Sequence, residues 1–178
     1  MSILGNLIGQ VMRADTIDNL IMIAHRGNIN GPQPHLENRP EYINRARDEG
    51  FYVEIDVWFE GETFLLGHDA PTYDVTQYFL QDERFLCHAK NLRAVEKLAE
   101  IKAHWFYHDK DDCTLTSKGW IWPFPYKRIE GSIMNQPEFA QKDNLKEAIS
   151  EFLYHLEKFK PIGVCSDYVQ ALRNLRNG

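Results

Sequence analysis

Leu20-Ile21-Met22-Ile23-Ala24 runs without interruption into His25-Arg26-Gly27. An unbroken apolar run of this length reads as a parallel strand buried on both faces. The same event recurs along the chain. Tyr52–Trp58 carries Glu54 and Asp56, and Phe64–Leu66 leads into Gly67-His68-Asp69. Phe85–Cys87 runs into His88-Ala89-Lys90, Trp105–Tyr107 into His108-Asp109, and Ile162–Cys165 into Ser166-Asp167. Strands that release polar side chains at their carboxyl ends are how a βα barrel assembles an active site. The pattern makes the chain an enzyme candidate.

Helical segments alternate with these runs. Asn38-Arg39-Pro40-Glu41 suits a helix start, with Asn38 as cap, Pro40 in the first turn, and Gly50 as the stop. Asn91 is placed to cap a helix whose core face is Leu92, Val95, Leu98 and Ala99. Lys142–Phe159 is the clearest helix. Leu145, Ile149, Phe152, Leu153 and Leu156 form its apolar stripe, and Asn144 with Glu147 a capping box. Tyr168–Arg176 is expected to be the last helix. Shorter strands are expected at Thr63–Leu66, His104–Tyr107, Trp120–Trp122 and Ser132–Asn135. Repeated βα units give an α/β fold with a mostly parallel sheet. The expectation is one compact domain over 1–178, a TIM-type (β/α) barrel, complete or with one βα unit missing or degenerate between Asp111 and Glu138. A doubly wound open sheet is the alternative, but no glycine-rich phosphate loop follows the first strand.

The chain has 178 residues, a net charge of -6, and no block of Lys and Arg that could track a phosphate backbone. Nucleic-acid binding is therefore not expected. Three cysteines, Cys87, Cys113 and Cys165, lack CxxC spacing and argue against a disulfide framework or zinc knuckle. A reducing, cytoplasmic compartment follows. The segment 1–19 has helical spacing but is too interrupted for a signal peptide and too short to span a bilayer. It reads as a helix that closes the barrel or docks a partner, a homodimer being one option.

Glu54 and Asp56 are two apart on a strand, so both face the same side. Two adjacent carboxylates flanked by Val53, Ile55 and Val57 call for a compensating cation, and a hard ion such as Mg²⁺ or Ca²⁺ suits them. His25 and His68 end separate strands and can act as general base and general acid. Arg26 offers a forked grip on phosphate, and Lys90 adds a point charge. These cations imply an anionic substrate, phosphate first. His108, Asp109, Asp111 and Asp112 form either a solvated acidic loop or, for the first two, rim contacts to substrate. Trp122, next to Pro123, is expected to line a pocket wall.

His25-Arg26-Gly27, Glu37-Asn38, Glu54-Ile55-Asp56 and His68-Asp69, in that order and spacing, resemble the glycerophosphodiester phosphodiesterase family, one of the phospholipase-C-like phosphodiesterase barrels. The ending Gly163–Tyr168 is similar to that family's last strand. The resemblance implies that His25 and His68 are the catalytic pair, that Glu54 and Asp56 bind the metal, and that Arg26 holds the phosphate. It puts Glu37 and Asn38 beside the substrate, although a cap role alone would explain Asn38, and it puts Lys90 on the lysine of a Glu-x-Lys strand motif. The chain departs from the family at His88, where the family has a metal-binding Glu. An imidazole there would favour Mn²⁺ or Zn²⁺. The implied activity is metal-dependent hydrolysis of a small phosphodiester. A lyase that releases a cyclic phosphate and a non-catalytic barrel that binds a phosphorylated metabolite are the alternatives.

Overall fold

A computed structural model describes residues 19–125, 127–135 and 145–176. The expected helix over 1–19 and the Asn144 cap lie outside the described residues, apart from Asn19 in a turn. The strands are β1 (Ile21–His25), β2 (Tyr52–Glu60), β3 (Thr63–Leu66), β4 (Tyr73–Val75), β5 (Phe85–Ala89), β6 (Trp105–Phe106), β7 (Cys113–Leu115), β8 (Ile121–Pro123), β9 (Ile133–Asn135) and β10 (Gly163–Ser166). The helices are α1 (Pro40–Asp48), α2 (Gln77–Leu80), α3 (Leu92–Glu100), α4 (Leu145–Phe159) and α5 (Val169–Arg176).

The fold is mixed α/β with a largely parallel sheet. Parallel pairings run β9-β10-β1-β2-β5-β6, and the β3–β4 hairpin extends β2 antiparallel. The ladder is open: among the described residues no backbone pairing joins β6 to β9. Among the described residues the eight repeated βα units of a full barrel are also not present, since no helix there separates β6 from β7, β8 and β9. The sheet is nevertheless rolled. Laid flat, β6 and β9 would stand about 24 Å apart at ~4.8 Å per strand, yet Phe106 and Asn135 line the same cavity. β8 sits in the gap, beside β9 and with Trp122 stacked on Phe106 at 4.4 Å.

Period-2 alternation sorts the strand residues into two layers. Met22, Ala24, Val53, Ile55, Val57, Cys87, Ala89 and Val164 face outward and pack against the helices, through Ile43 and Ala46 of α1, Ala94 and Leu98 of α3, Phe152 and Leu156 of α4, and Leu172 of α5. Ile23, Leu86, Phe106, Trp122, Ile133 and Cys165 form a second cluster on the inner face. Both cysteines expected in the core are buried, one in each layer.

Local chemistry explains most boundaries. Asn91 caps α3 by accepting from the Ala94 N–H at 2.8 Å. Of the expected α3 core face, Leu98 is buried and Val95 packs against the core, whereas Leu92 and Ala99 are exposed; Ala94 is buried as well, which rotates the stripe. Pro40 begins α1, but its cap is Arg39, without a side-chain bond. The expected cap, Asn38, is turned away by a left-handed φ of 60°. Gly67 has a φ of 150°, and a Cβ there would sit 2.0 Å from the Ala70 carbonyl oxygen. Only glycine lets the chain turn so sharply out of β3 toward His68.

Candidate active site

Register brings the site together. β1 pairs with β2 so that His25 lies opposite Glu54, and β2 pairs with β5 so that Asp56 lies opposite His88. All four point to the inner face: His25 and His88 at the carboxyl ends of β1 and β5, and Glu54 and Asp56 in β2 beside them. A slip of one residue would send Glu54 and Asp56 into the helix-covered layer.

Asp56 is 1% exposed and densely partnered. Lys90 Nζ and His88 Nδ1 each lie 3.2 Å from its Oδ1, and Arg26 Nε lies 3.2 Å from its Oδ2. Asn38 donates to Oδ2 at 2.9 Å. Burial alone would raise its pKa, but the His88 hydrogen bond and the Lys90 and Arg26 charges outweigh that and hold the carboxyl well below its usual range. Glu54 is the opposite case. It is 3% exposed. Its nearest ring nitrogens are His88 Nδ1 at 3.7 Å and His25 Nε2 at 4.0 Å. Burial first, then the Asp56 charge, push its pKa up. Its Oε2 is buried without a hydrogen-bond partner.

That orphaned oxygen tests whether a cation fits. One donor atom from each of Glu54, Asp56 and His88 lies within 4.8 Å of the others. Two carboxylates and an imidazole are a competent donor set for a divalent ion. A cation would satisfy Glu54 Oε2 and the repulsion between the two acids.

His25 is held by a residue absent from the sequence-based candidates. Its Nδ1 lies 2.8 Å from Asp167 Oδ1, which also accepts from Asn28 Nδ2 at 2.8 Å. Burial lowers the His25 pKa, but the Asp167 hydrogen bond and the Glu54 charge reverse this and leave it raised. Asp167 is lowered, its own burial outweighed by the His25 bond and charge. Asp167 was legible as the residue released after the last strand; Asn28 carried no signal beyond its place after Gly27. Glu37 sits behind Arg26, accepting from its Nη1 at 3.1 Å and from Asn28 Nδ2 at 2.8 Å. His68 lies at the mouth, its Nδ1 2.6 Å from Asp69 Oδ1.

Two cavities meet at these groups. A chamber of about 170 Å³ is lined by Glu54, Asp56, His88, Phe106, His108, Trp122, Phe124, Pro125 and Asn135 together with His25, Arg26 and His68. A wider cleft of about 650 Å³ shares His25, Arg26 and His68 and adds Glu37, Asn38, Asp167 and the segment around Thr72 and Tyr73. Trp122 thus forms chamber wall and is 2% exposed. Lys90 lines neither space and faces Asp56. His108 joins the chamber wall, its pKa taken down to about 4 by burial and then by the His88 and Lys90 charges. Asp109 is exposed.

Comparison with known protein families, characterised proteins and solved structures finds no match. The family likeness therefore rests on the quoted motifs alone. No helix among the described residues is long and apolar enough to cross a membrane.

Proposed function

We propose that this chain is a metal-dependent phosphodiesterase of the glycerophosphodiester phosphodiesterase type, built on a small barrel in which β8 fills the opening between β6 and β9. The observation that carries the reading is the convergence of His25, Arg26, Glu54, Asp56, His68 and His88, from four segments, on one chamber. The three residues shared by chamber and cleft are a cation and two histidines, which suits a phosphate at the junction with one ester arm in each space.

Glu54, Asp56 and His88 would hold the ion, Mg²⁺ or Ca²⁺ by the carboxylates and Mn²⁺ or Zn²⁺ by the imidazole. Bound there, it would supply Lewis-acid polarisation of a phosphoryl oxygen. Arg26, backed by Glu37, orients the anion. Asp167 fixes His25 through Nδ1, which leaves Nε2 facing the chamber to take or give a proton. His68, oriented by Asp69, holds the complementary role from the mouth. One histidine removes the proton from the attacking hydroxyl or water; the other protonates the departing alkoxide.

The test is hydrolysis of bis(p-nitrophenyl) phosphate with Mg²⁺, Ca²⁺, Mn²⁺ or Zn²⁺ supplied in turn. Turnover that is lost in His25→Ala and in His68→Ala, each with unchanged circular dichroism, supports the assignment. Absence of turnover with every ion removes it. Phosphorus NMR of a glycerophosphodiester reaction separates hydrolysis, which ends in a linear monoester, from a lyase, which accumulates a cyclic ester.

A further inference from the structure

A histidine that ligates a metal is ordinarily oriented by a hydrogen bond from its second ring nitrogen. His88 Nδ1 faces Asp56 Oδ1 at 3.2 Å and Glu54 Oε1 at 3.7 Å. Among the described residues Nε2 has no hydrogen-bond partner. The ring is instead laid against two others. Its centroid is 4.8 Å from Phe106 with the planes 10° apart, and 5.1 Å from His108 with the planes 2° apart. Phe106 and His108 are themselves 6.0 Å apart at 9°. Phe106 is the last residue of β6 and His108 follows two positions later, and their near-parallel rings both lie against the His88 imidazole. Trp122 backs Phe106 at 4.4 Å, and Phe124 meets His108 edge-on at 5.6 Å. The surface is therefore braced from behind.

We infer that His108 is a positioning residue for His88: with Phe106 it forms a flat aromatic surface that fixes the imidazole plane and so aims Nδ1 at the Glu54–Asp56 pair. A stacked surface restricts ring rotation by dispersion and shape, which needs a planar neighbour and not a nitrogen. His108 carries a buried Nδ1 with no hydrogen-bond partner, as fits a residue kept for its ring. The inference rests on the metal-binding part of the proposed function, but not on turnover.

Calorimetric titration of the metal-free protein with Mn²⁺ and Zn²⁺ tests it, comparing His108→Ala with His108→Phe. The alanine variant should bind about tenfold more weakly, the scale seen when support behind a metal ligand is lost. The phenylalanine variant keeps the surface and should stay within about twofold of wild type. The metal-free state gives a second readout: the His88 ring-proton NMR shifts should move toward exposed-histidine values in the alanine variant and remain displaced in the phenylalanine variant. Unchanged affinity in His108→Ala overturns the inference. So does a phenylalanine variant as weak as the alanine one, since that would make the nitrogen the working group. Wild-type protein that binds neither ion overturns it as well. Metal binding with this pattern but no diester turnover leaves the inference standing and removes the enzymatic reading.

Discussion

Asn38 grips Asp56 at two points: its Nδ2 donates to Asp56 Oδ2 at 2.9 Å, and its Oδ1 accepts the Asp56 backbone N–H at 2.9 Å. Both residues are 1% exposed. The left-handed φ of 60° that removes Asn38 from the cap position is the conformation that turns its amide toward β2, and asparagine tolerates it better than most residues. A residue that reads locally as a helix cap is a brace for the site.

Asn38→Ala should therefore destabilise the protein by about 2 kcal/mol, because it strands the buried Asp56 N–H and leaves Asp56 Oδ2 to Arg26 Nε, 3.2 Å away. The urea midpoint measures this. A loss within about 0.5 kcal/mol, typical of a substitution that disturbs nothing buried, would show that water replaces the amide.

Asp167→Asn keeps the shape of the side chain but removes the charge that raises the His25 pKa. Phosphodiester turnover should fall by about 100-fold, the lower range for an acid–base residue put in the wrong state. NMR titration should show His25 titrating at lower pH than in wild type. Full activity would exclude the His25–Asp167 pair from the mechanism.

Glu54→Gln should affect the metal-free and metal-loaded protein in opposite ways. Without metal, at neutral pH, it relieves a buried charge beside Asp56, and the melting temperature should rise or hold. With Mn²⁺ at about 100 times its Kd, wild type should gain about 2.7 kcal/mol, and the variant should gain much less. Equal metal stabilisation in both would place the ion elsewhere.

His104 gives a pH dependence remote from the carboxylates. It is 3% exposed, with Nε2 2.9 Å from Thr116 Oγ1, and its pKa is pulled to about 4 by burial and then by the Lys118 charge. The unfolded chain binds this proton near pH 6.5, so between pH 6.5 and 4 it holds more protons than the folded one. Stability from this residue is complete above pH 6.5 and declines as pH falls toward 4. The loss should be on the order of 3 kcal/mol. His104→Gln should flatten that part of the stability curve; an unchanged slope would assign it to other groups.

The α/β alternation and the inner position of Glu54 and Asp56 were readable along the chain. Alternation is a local property, and Val53, Ile55 and Val57 define the buried outer face without further information. The strands at Thr63–Leu66 and Phe85–Ala89 have their expected bounds, and those near Leu20 and Ile162 shift by one residue. β4, β7 and the single-turn α2 were not anticipated, because three or four residues hold too little periodicity to register. Asp167 carried a strand-end signal, but its pairing with His25 spans 142 positions, and no spacing encodes that.

By itself the sequence determined which side chains lie on which face of each strand, because period-2 geometry needs only neighbouring residues. Tertiary structure alone decided who partners whom. The β1–β2 and β2–β5 registers set His25 against Glu54 and Asp56 against His88, and the roll of the sheet carries β6 and β9 to one chamber. Those are long-range choices made by the burial of the whole outer layer, which no local stretch contains.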